Sequence, residues 1–211
     1  FLKKIKRSKL IYDAHELESN KNGQTKFMSL GTLYLEKLCW GYIDLLISVS
    51  DSIINWYKKT LGDKKSILVL NSPLIRESKR FNYNKSCNKY FHIKYHIPDD
   101  LKIFIYIGYL IPGRGINKII QTFYREEIKS HVIFLGEGDL KNEIIEASKK
   151  NHKIHYHKPV NHDQVVKISQ SADVGLCLIE NISLSDYYCL PNKLFEYAYN
   201  ELREEEMIEI E

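Results

Sequence analysis

The 211-residue sequence lacks any run near the roughly 18 apolar residues that a membrane-crossing helix needs. Its start, Phe-Leu-Lys-Lys-Ile-Lys-Arg, is too short and too charged for a secretory signal. It reads as a solvated basic end, with contact to a membrane face as the alternative. Cysteine is scarce: Cys39, Cys87, Cys177 and Cys189 fall in no metal-type or redox-type spacing. A reducing cytosol is the expected compartment. No basic arm exists either, because the net charge of +4 comes from 31 basic and 27 acidic residues spread along the chain. That balance excludes a dedicated nucleic-acid surface and suits small anionic ligands. Leu135-Gly136-Glu137-Gly138-Asp139 lacks the third glycine of a nicotinamide fingerprint. His152, His155 and His157 lack a carboxylate or thiol at a spacing that would complete a metal site, so no metal is expected.

What is present is an alternation of short apolar runs with helical periods. Leu10–Asp13 reads as a buried strand opening into Ala14-His15-Glu16, and Phe27–Tyr42 as an amphipathic helix. Asp44–Val49 is a strand. Ser50-Asp51-Ser52 starts a helix over Ile53–Leu61 that Gly62 closes, and Ile67–Leu70 is a third strand. Arg76–Asn88, polar and without period, follows Pro73 and reads as a linker. Strands are then expected at Lys102–Ile107, Val132–Leu135, Lys153–His157 and Asp173–Ile179. Between and after them come helices at Ile116–Ile128, Asp139–Lys150, His162–Ser171 and Pro191–Tyr199. Strand–helix alternation implies parallel sheets, with ligands outside the carboxyl ends of the strands. Three strands before the linker are too few for a doubly wound domain, and the acidic tail after Asn200 reads as a frayed helix. Both ends therefore look incomplete.

The stretch around which the chain is organised is Ile182–Ala198. Pro191 suits the first position of a helix, which leaves the amides of Asn192, Lys193 and Leu194 as an anion site at the positive end of the helix dipole. Lys193 adds a full charge. Glu196, three residues on, shares that face one turn deeper and could accept hydrogen bonds from a ribose diol. Gly108-Tyr109-Leu110-Ile111-Pro112-Gly113-Arg114-Gly115 sits between a strand and a helix, where glycines admit a ligand close to backbone and a guanidinium can grip phosphate. Composition and spacing alone support two α/β units with an anion-binding helix tip.

Ile182–Ala198 resembles the donor motif of the family 4 retaining glycosyltransferases, in which two glutamates eight positions apart flank a helix start. Glu196 matches the second, the ribose holder; the first position holds Tyr188. Arg114-Gly115 matches the second basic position of the family's diphosphate clamp, with Arg for Lys, whereas Tyr109 stands at the first. Gly136 falls in the family's second glycine loop, and the exit of the next strand, His157-Lys158-Pro159-Val160, would run beside the nucleotide base. Asp13-Ala14-His15-Glu16 resembles a first-domain motif whose His orients a sugar. The likeness covers about Leu10 to Ala198. It implies an α/β fold with two Rossmann-like parallel-sheet domains facing a cleft (GT-B) and an incomplete N-terminal domain. The implied boundaries are a partial acceptor-side domain over 1–75, a linker over 76–88 and a nucleotide-sugar-binding domain over 89–211.

The expected function is transfer of a sugar from a nucleotide-diphosphate sugar to a glycan or lipid-linked acceptor in bacterial polysaccharide synthesis. The implied mechanism is retaining, with no metal and no cofactor beyond the donor. The expected place is the cytoplasm, with the inner face of the membrane as an alternative. Catalytic roles fall to His15, Arg114, Lys193 and Glu196. Donor contacts fall to Gly108, Tyr109, Arg114, Gly136, Tyr188, Asn192, Lys193, Leu194 and Glu196. A nucleotide-sugar epimerase of the same architecture and a non-catalytic nucleotide-binding remnant are the alternatives.

Overall fold

The computed structural model describes residues 8–70, 89–199 and 203–204. In chain order the elements are β1 (Ile11–Ala14), a 3-10 turn (Glu18–Asn20), α1 (Lys26–Trp40), β2 (Leu45–Ser48), α2 (Asp51–Leu61) and β3 (Ser66–Leu68). There follow α3 (Tyr90–Tyr95), β4 (Ile103–Ile107), α4 (Ile116–Tyr124), β5 (His131–Leu135), α5 (Lys141–Lys150) and β6 (Ile154–His157). The last are α6 (His162–Ser169), β7 (Val174–Gly175), α7 (Leu184–Tyr188), α8 (Asn192–Tyr199) and β8 (Arg203–Glu204). Every strand pair is parallel, in two sheets of order β1-β2-β3 and β6-β5-β4-β7-β8. The fold is α/β with two Rossmann-like parallel sheets, as the strand–helix alternation implied.

The chain divides into two compact units, residues 1–72 with 180–190 and residues 73–179 with 191–211. Residues 180–190, which the sequence reading kept inside the second domain, thus pack with the first unit. The expected linker, 76–88, lies outside the described residues.

In the first unit, Leu17, Trp40, Leu46, Ile53 and Tyr57 form the core, and Leu184, Tyr188 and Leu190 pack against it. Local signals set the ends of α2. Ser50 Oγ accepts from Ile53 N–H at 3.3 Å, and Gly62 closes the helix at φ 106°, a conformation that favours glycine. A half-buried polar knot ties β1, α1 and α2, because the Tyr12 and Tyr57 hydroxyls both donate to Glu36 Oε1, at 2.8 and 2.7 Å. Burial and that carboxylate push both phenols above their ordinary range.

In the second unit, alternate strand residues serve opposite layers, as the period of two requires. Tyr106, Val132, Phe134 and Ile154 face the side covered by α4 and α5. Ile103, Ile105, Ile107, Ile133 and Leu135 pack with Phe91 of α3, Val165 and Ile168 of α6, and Leu194 and Tyr197 of α8.

Several expectations on individual elements are corrected. Helices α3 and α7, of 6 and 5 residues, are additions that the sequence reading left as irregular chain. Strand β7 is confined to Val174–Gly175 rather than running over Asp173–Ile179. Arg203–Glu204, expected as helix, pairs in parallel with Val174–Gly175. Helix α8 starts at Asn192, one residue after the expected Pro191.

Candidate functional site

The carboxyl ends of the second sheet carry the two glycine loops. Strand β4 runs into Gly108, at φ 126°, and β5 into Gly136. A Cβ on Gly136 would lie 1.8 Å from the Gly108 carbonyl oxygen, so only glycine lets the two loops nest this closely. Hydrogen bonds lock the nest: Gly108 N–H to Leu135 O at 3.0 Å, Leu110 N–H to Glu137 O at 2.9 Å, and Leu140 N–H to Leu110 O at 2.8 Å.

Helix α8 docks on the same sheet through Tyr197, which is fully buried. Its hydroxyl accepts from Ile107 N–H at 3.1 Å and donates to Leu176 O at 3.1 Å. Its ring lies where a Cβ on Gly175 would come within 2.4 Å, so Gly175 is the seat of this tyrosine. One turn earlier stands Lys193. Its ammonium lies over the face of Tyr106, 3.6 Å from the ring centroid, a cation–π contact. The lysine stem runs over Gly108, with Cε 3.0 Å from where a Cβ would stand. Tyr106 is itself fixed, buried and donating its hydroxyl to Tyr109 O at 2.9 Å. Burial pushes its phenol up, and the positive charge of Arg114 opposes that rise.

Gly108, Lys193 and Tyr106 are therefore gathered in one unit at the carboxyl end of β4, with Arg114 electrostatically coupled to the ring. Glu196 is half-buried one turn along α8 from Lys193, and Asn192 is exposed at its start. Leu194 faces inward onto the apolar layer, and its N–H reaches Pro191 O at 3.3 Å. This corrects the expectation of three bare amides: the Leu194 N–H is already engaged. Tyr109 is 76% exposed.

The first unit holds the remaining candidates. His15 is exposed just past β1, with Nε2 3.2 Å from Asp13 Oδ2. Tyr188 ends α7, its ring partly buried on the first core and its carbonyl accepting from Ser50 Oγ at 3.0 Å. Tyr188 and Glu196, the two motif positions, thus belong to different units.

Among the described residues no group of three or more His, Cys, Asp or Glu could hold a metal ion. The histidines are used otherwise. His157 Nδ1 donates to Lys158 O at 2.6 Å, which leaves Nε2 to accept from the Tyr90 hydroxyl at 2.9 Å. His131 Nδ1 and His155 Nε2 share a hydrogen bond of 2.9 Å with their rings stacked.

With this geometry described, solved structures can be compared with it. A variant of S. aureus TarM, in complex with fondaparinux, α-GlcNAc-glycerol and UDP, superposes with a TM-score of 0.62 at 10% identity over 93% of this chain and 36% of that one. Anabaena HepE in complex with UDP and glucose gives 0.59 at 13% identity over 84% of this chain and 48% of that one. The pneumococcal O-GlcNAc transferase GtfA, with UDP and GlcNAc, gives 0.59 at 12% identity over 93% and 37%. The fold is that of the GT-B glycosyltransferases. This chain spans between about a third and a half of the length of these GT-B structures. No protein-family model matches the chain, and no curated protein matches it by sequence.

Sequence reasoning named Gly108, Arg114, Gly136 and Lys193, but missed Tyr106 and Tyr197. Both read as ordinary apolar positions of a strand and a helix. Tyr197 could have been found from its spacing, four residues after Lys193, which sets it on the inward side of the same helix.

Proposed function

We propose that this chain supplies the donor-binding machinery of a glycosyltransferase that moves a sugar from a UDP-sugar to a glycan or lipid-linked acceptor in bacterial polysaccharide synthesis. The observation that carries the reading is the fixed ammonium of Lys193, stacked on Tyr106 beside the glycine loop, with Arg114 acting on the same ring. The choice of UDP rests on the fold-mates, whose structures hold it.

As the bond from the anomeric carbon to the donor oxygen breaks, its electron pair passes to the leaving diphosphate. Lys193 and Arg114 offset that charge, each charge-assisted hydrogen bond contributing about 1.5–3 kcal/mol. Because the Lys193 ammonium is held over Tyr106 before the donor arrives, little reorganisation of that cation is left to the reaction. The two cations do what a divalent metal would otherwise do, and the reading takes the reaction as metal-independent, with no cofactor. Glu196 holds the ribose hydroxyls, Asn192 and the start of α8 meet the phosphates, and His15 orients a sugar. Retention of anomeric configuration is inferred from the motif likeness alone. The donor is cytoplasmic, and the reaction is placed there.

No helix among the described residues is long and apolar enough to cross a membrane. Peripheral contact is still part of the proposal, through α1, where Phe27, Leu30, Tyr34 and Leu38 are exposed.

Titration calorimetry with UDP, UDP-glucose and UDP-GlcNAc tests the reading. Binding should weaken by about tenfold or more in both Lys193→Ala and Arg114→Ala. Equal affinity in the parent and both variants would overturn the site.

A further inference from the structure

His131, His155 and His157 line one face of the second sheet. His131 has the same parity as Ile133 and Leu135 on β5, and the parallel register sets His155 beside Ile133 and His157 beside Leu135. All three rings therefore lie in the layer that α3 helps to cover. His131 is 4% exposed and His157 3%. Helix α3 closes over β6 with three aromatic rings. Tyr95 lies against His155, ring centroids 4.5 Å apart, and donates its hydroxyl to Tyr156 O at 2.9 Å. Phe91, fully buried, stands edge-on to His157 at 5.9 Å, and the Tyr90 hydroxyl donates to His157 Nε2 at 2.9 Å. A helix of 6 residues cannot hold itself in water, so these contacts and the apolar seat of Phe91 keep α3 in place.

These rings are bonded in their neutral forms. His157 donates from Nδ1 to Lys158 O and so accepts at Nε2. His131 Nδ1 and His155 Nε2 share one proton across 2.9 Å; with both rings fully protonated, two N–H donors would face each other and that bond would be lost. The charged groups bearing on the pair are basic: His152, its ring 5.9 Å from that of His131, His92 of α3, and Lys153, whose ammonium donates to Arg125 O and Ile128 O. Lys94 and Lys158 bear on His157 in the same sense. Asp99 is bridged to Lys89 and stands 4.0 Å from His92 Nδ1.

We propose that α3 is an acid-released latch: proton uptake by His131, His155 and His157 lifts it from β6 while the rest of the second unit stays folded. A buried imidazolium needs water, and the short helix lying over the rings is the cover that costs least to move. Burial first, and neighbouring positive charge after it, hold all three rings below the ordinary 6.5. Such a ring takes its proton more readily once uncovered, so acid favours release. The latch is shut above about pH 6.5 and opens as the pH falls toward 4. Release bares Phe91 and the outer side of β6, which stands at one end of the sheet order and whose Tyr156 carbonyl the Tyr95 hydroxyl otherwise covers. An uncovered strand edge of that kind is a template for pairing with another chain.

Hydrogen exchange read by mass spectrometry on the whole chain tests the latch, each rate being taken relative to that of the unfolded chain at the same pH. Between pH 7 and pH 5 the protection of residues 90–95 should fall by about tenfold or more. At pH 5 these residues should exchange at least about tenfold faster than residues 141–150 of α5. His155→Gln and His157→Gln each remove one titrating ring, and each should shrink the fall. Tryptophan fluorescence should be the same at both pH values, since both tryptophans, Trp40 and Trp56, lie in the first unit. Protection of residues 90–95 that survives at pH 5, or one common rate for α3 and α5 there, overturns the latch on the parent chain alone. A fall of undiminished size in both variants overturns the assignment to these histidines, and a parallel change in tryptophan fluorescence would mark general acid unfolding and overturn it too.

Discussion

The two sheets are built by the same alternation, yet they use their apolar residues differently. In the second unit every residue of β5 is buried, and helices cover both faces. In the first, Ile11 of β1 is 54% exposed, and α1 buries Trp40 while leaving Phe27 at 87% exposure. Helix α1 thus shows apolar residues to solvent as well as to its core, although it reads as amphipathic. The first unit therefore carries more apolar surface than its described elements can use, whereas the second is matched strand for helix. Resistance to mutation should differ accordingly.

The largest effect is expected at the inner seat of α8. Tyr197→Ala removes a fully buried ring and three hydrogen-bond partners, and should destabilise the second unit by about 3–5 kcal/mol. Circular dichroism should report that loss at a temperature where tryptophan fluorescence still shows the first unit folded. Coincident transitions would mean that the units unfold as one, and the contrast between them would fail.

A middle-sized effect should come from pH. Burial first, and neighbouring positive charge second (His152, His92 and Lys153 on His131; His131 and His152 on His155), hold His131 and His155 at about 4, below the ordinary 6.5. A base whose folded pKa is depressed is protonated first in the unfolded chain, so acid favours unfolding. The second unit should keep its full stability above about pH 6.5 and lose it progressively toward pH 4. His155→Gln, which removes one titrating group, should shrink the fall in melting temperature between pH 7 and pH 5. An unchanged fall would clear this pair of responsibility.

The smallest effect is expected on the first unit's surface. Phe27→Gln should alter stability by no more than about 0.5 kcal/mol. It should reduce co-sedimentation with anionic vesicles, and equal sedimentation of parent and variant would remove α1 as a membrane contact.

Legibility in the sequence followed the range of the forces involved. The ends of α2 could be read because Ser50 and Gly62 act on their own helix, and β4 and β5 because a buried parallel strand writes itself as a continuous apolar run. Helices α3 and α7 were not legible. At 6 and 5 residues they are too short to hold themselves, and Phe91 and Ser185 secure them through partners distant in sequence. The donor candidates divide the same way. Glycine loops and Lys193 announce themselves by type and spacing, but the stacking of Lys193 on Tyr106 joins residues 87 positions apart, and no local pattern encodes it.

Because residues 180–190 are lodged in the first unit, the gene cannot be divided at one place into two self-sufficient halves. Expressed alone, residues 89–211 would carry Leu184, Tyr188 and Leu190 as a greasy strap without its berth, and should clump. Conversely, a protease nick between residues 72 and 73 would leave the two pieces holding together through that lodged strap, so they should travel as one species on a sizing column until denaturant is added.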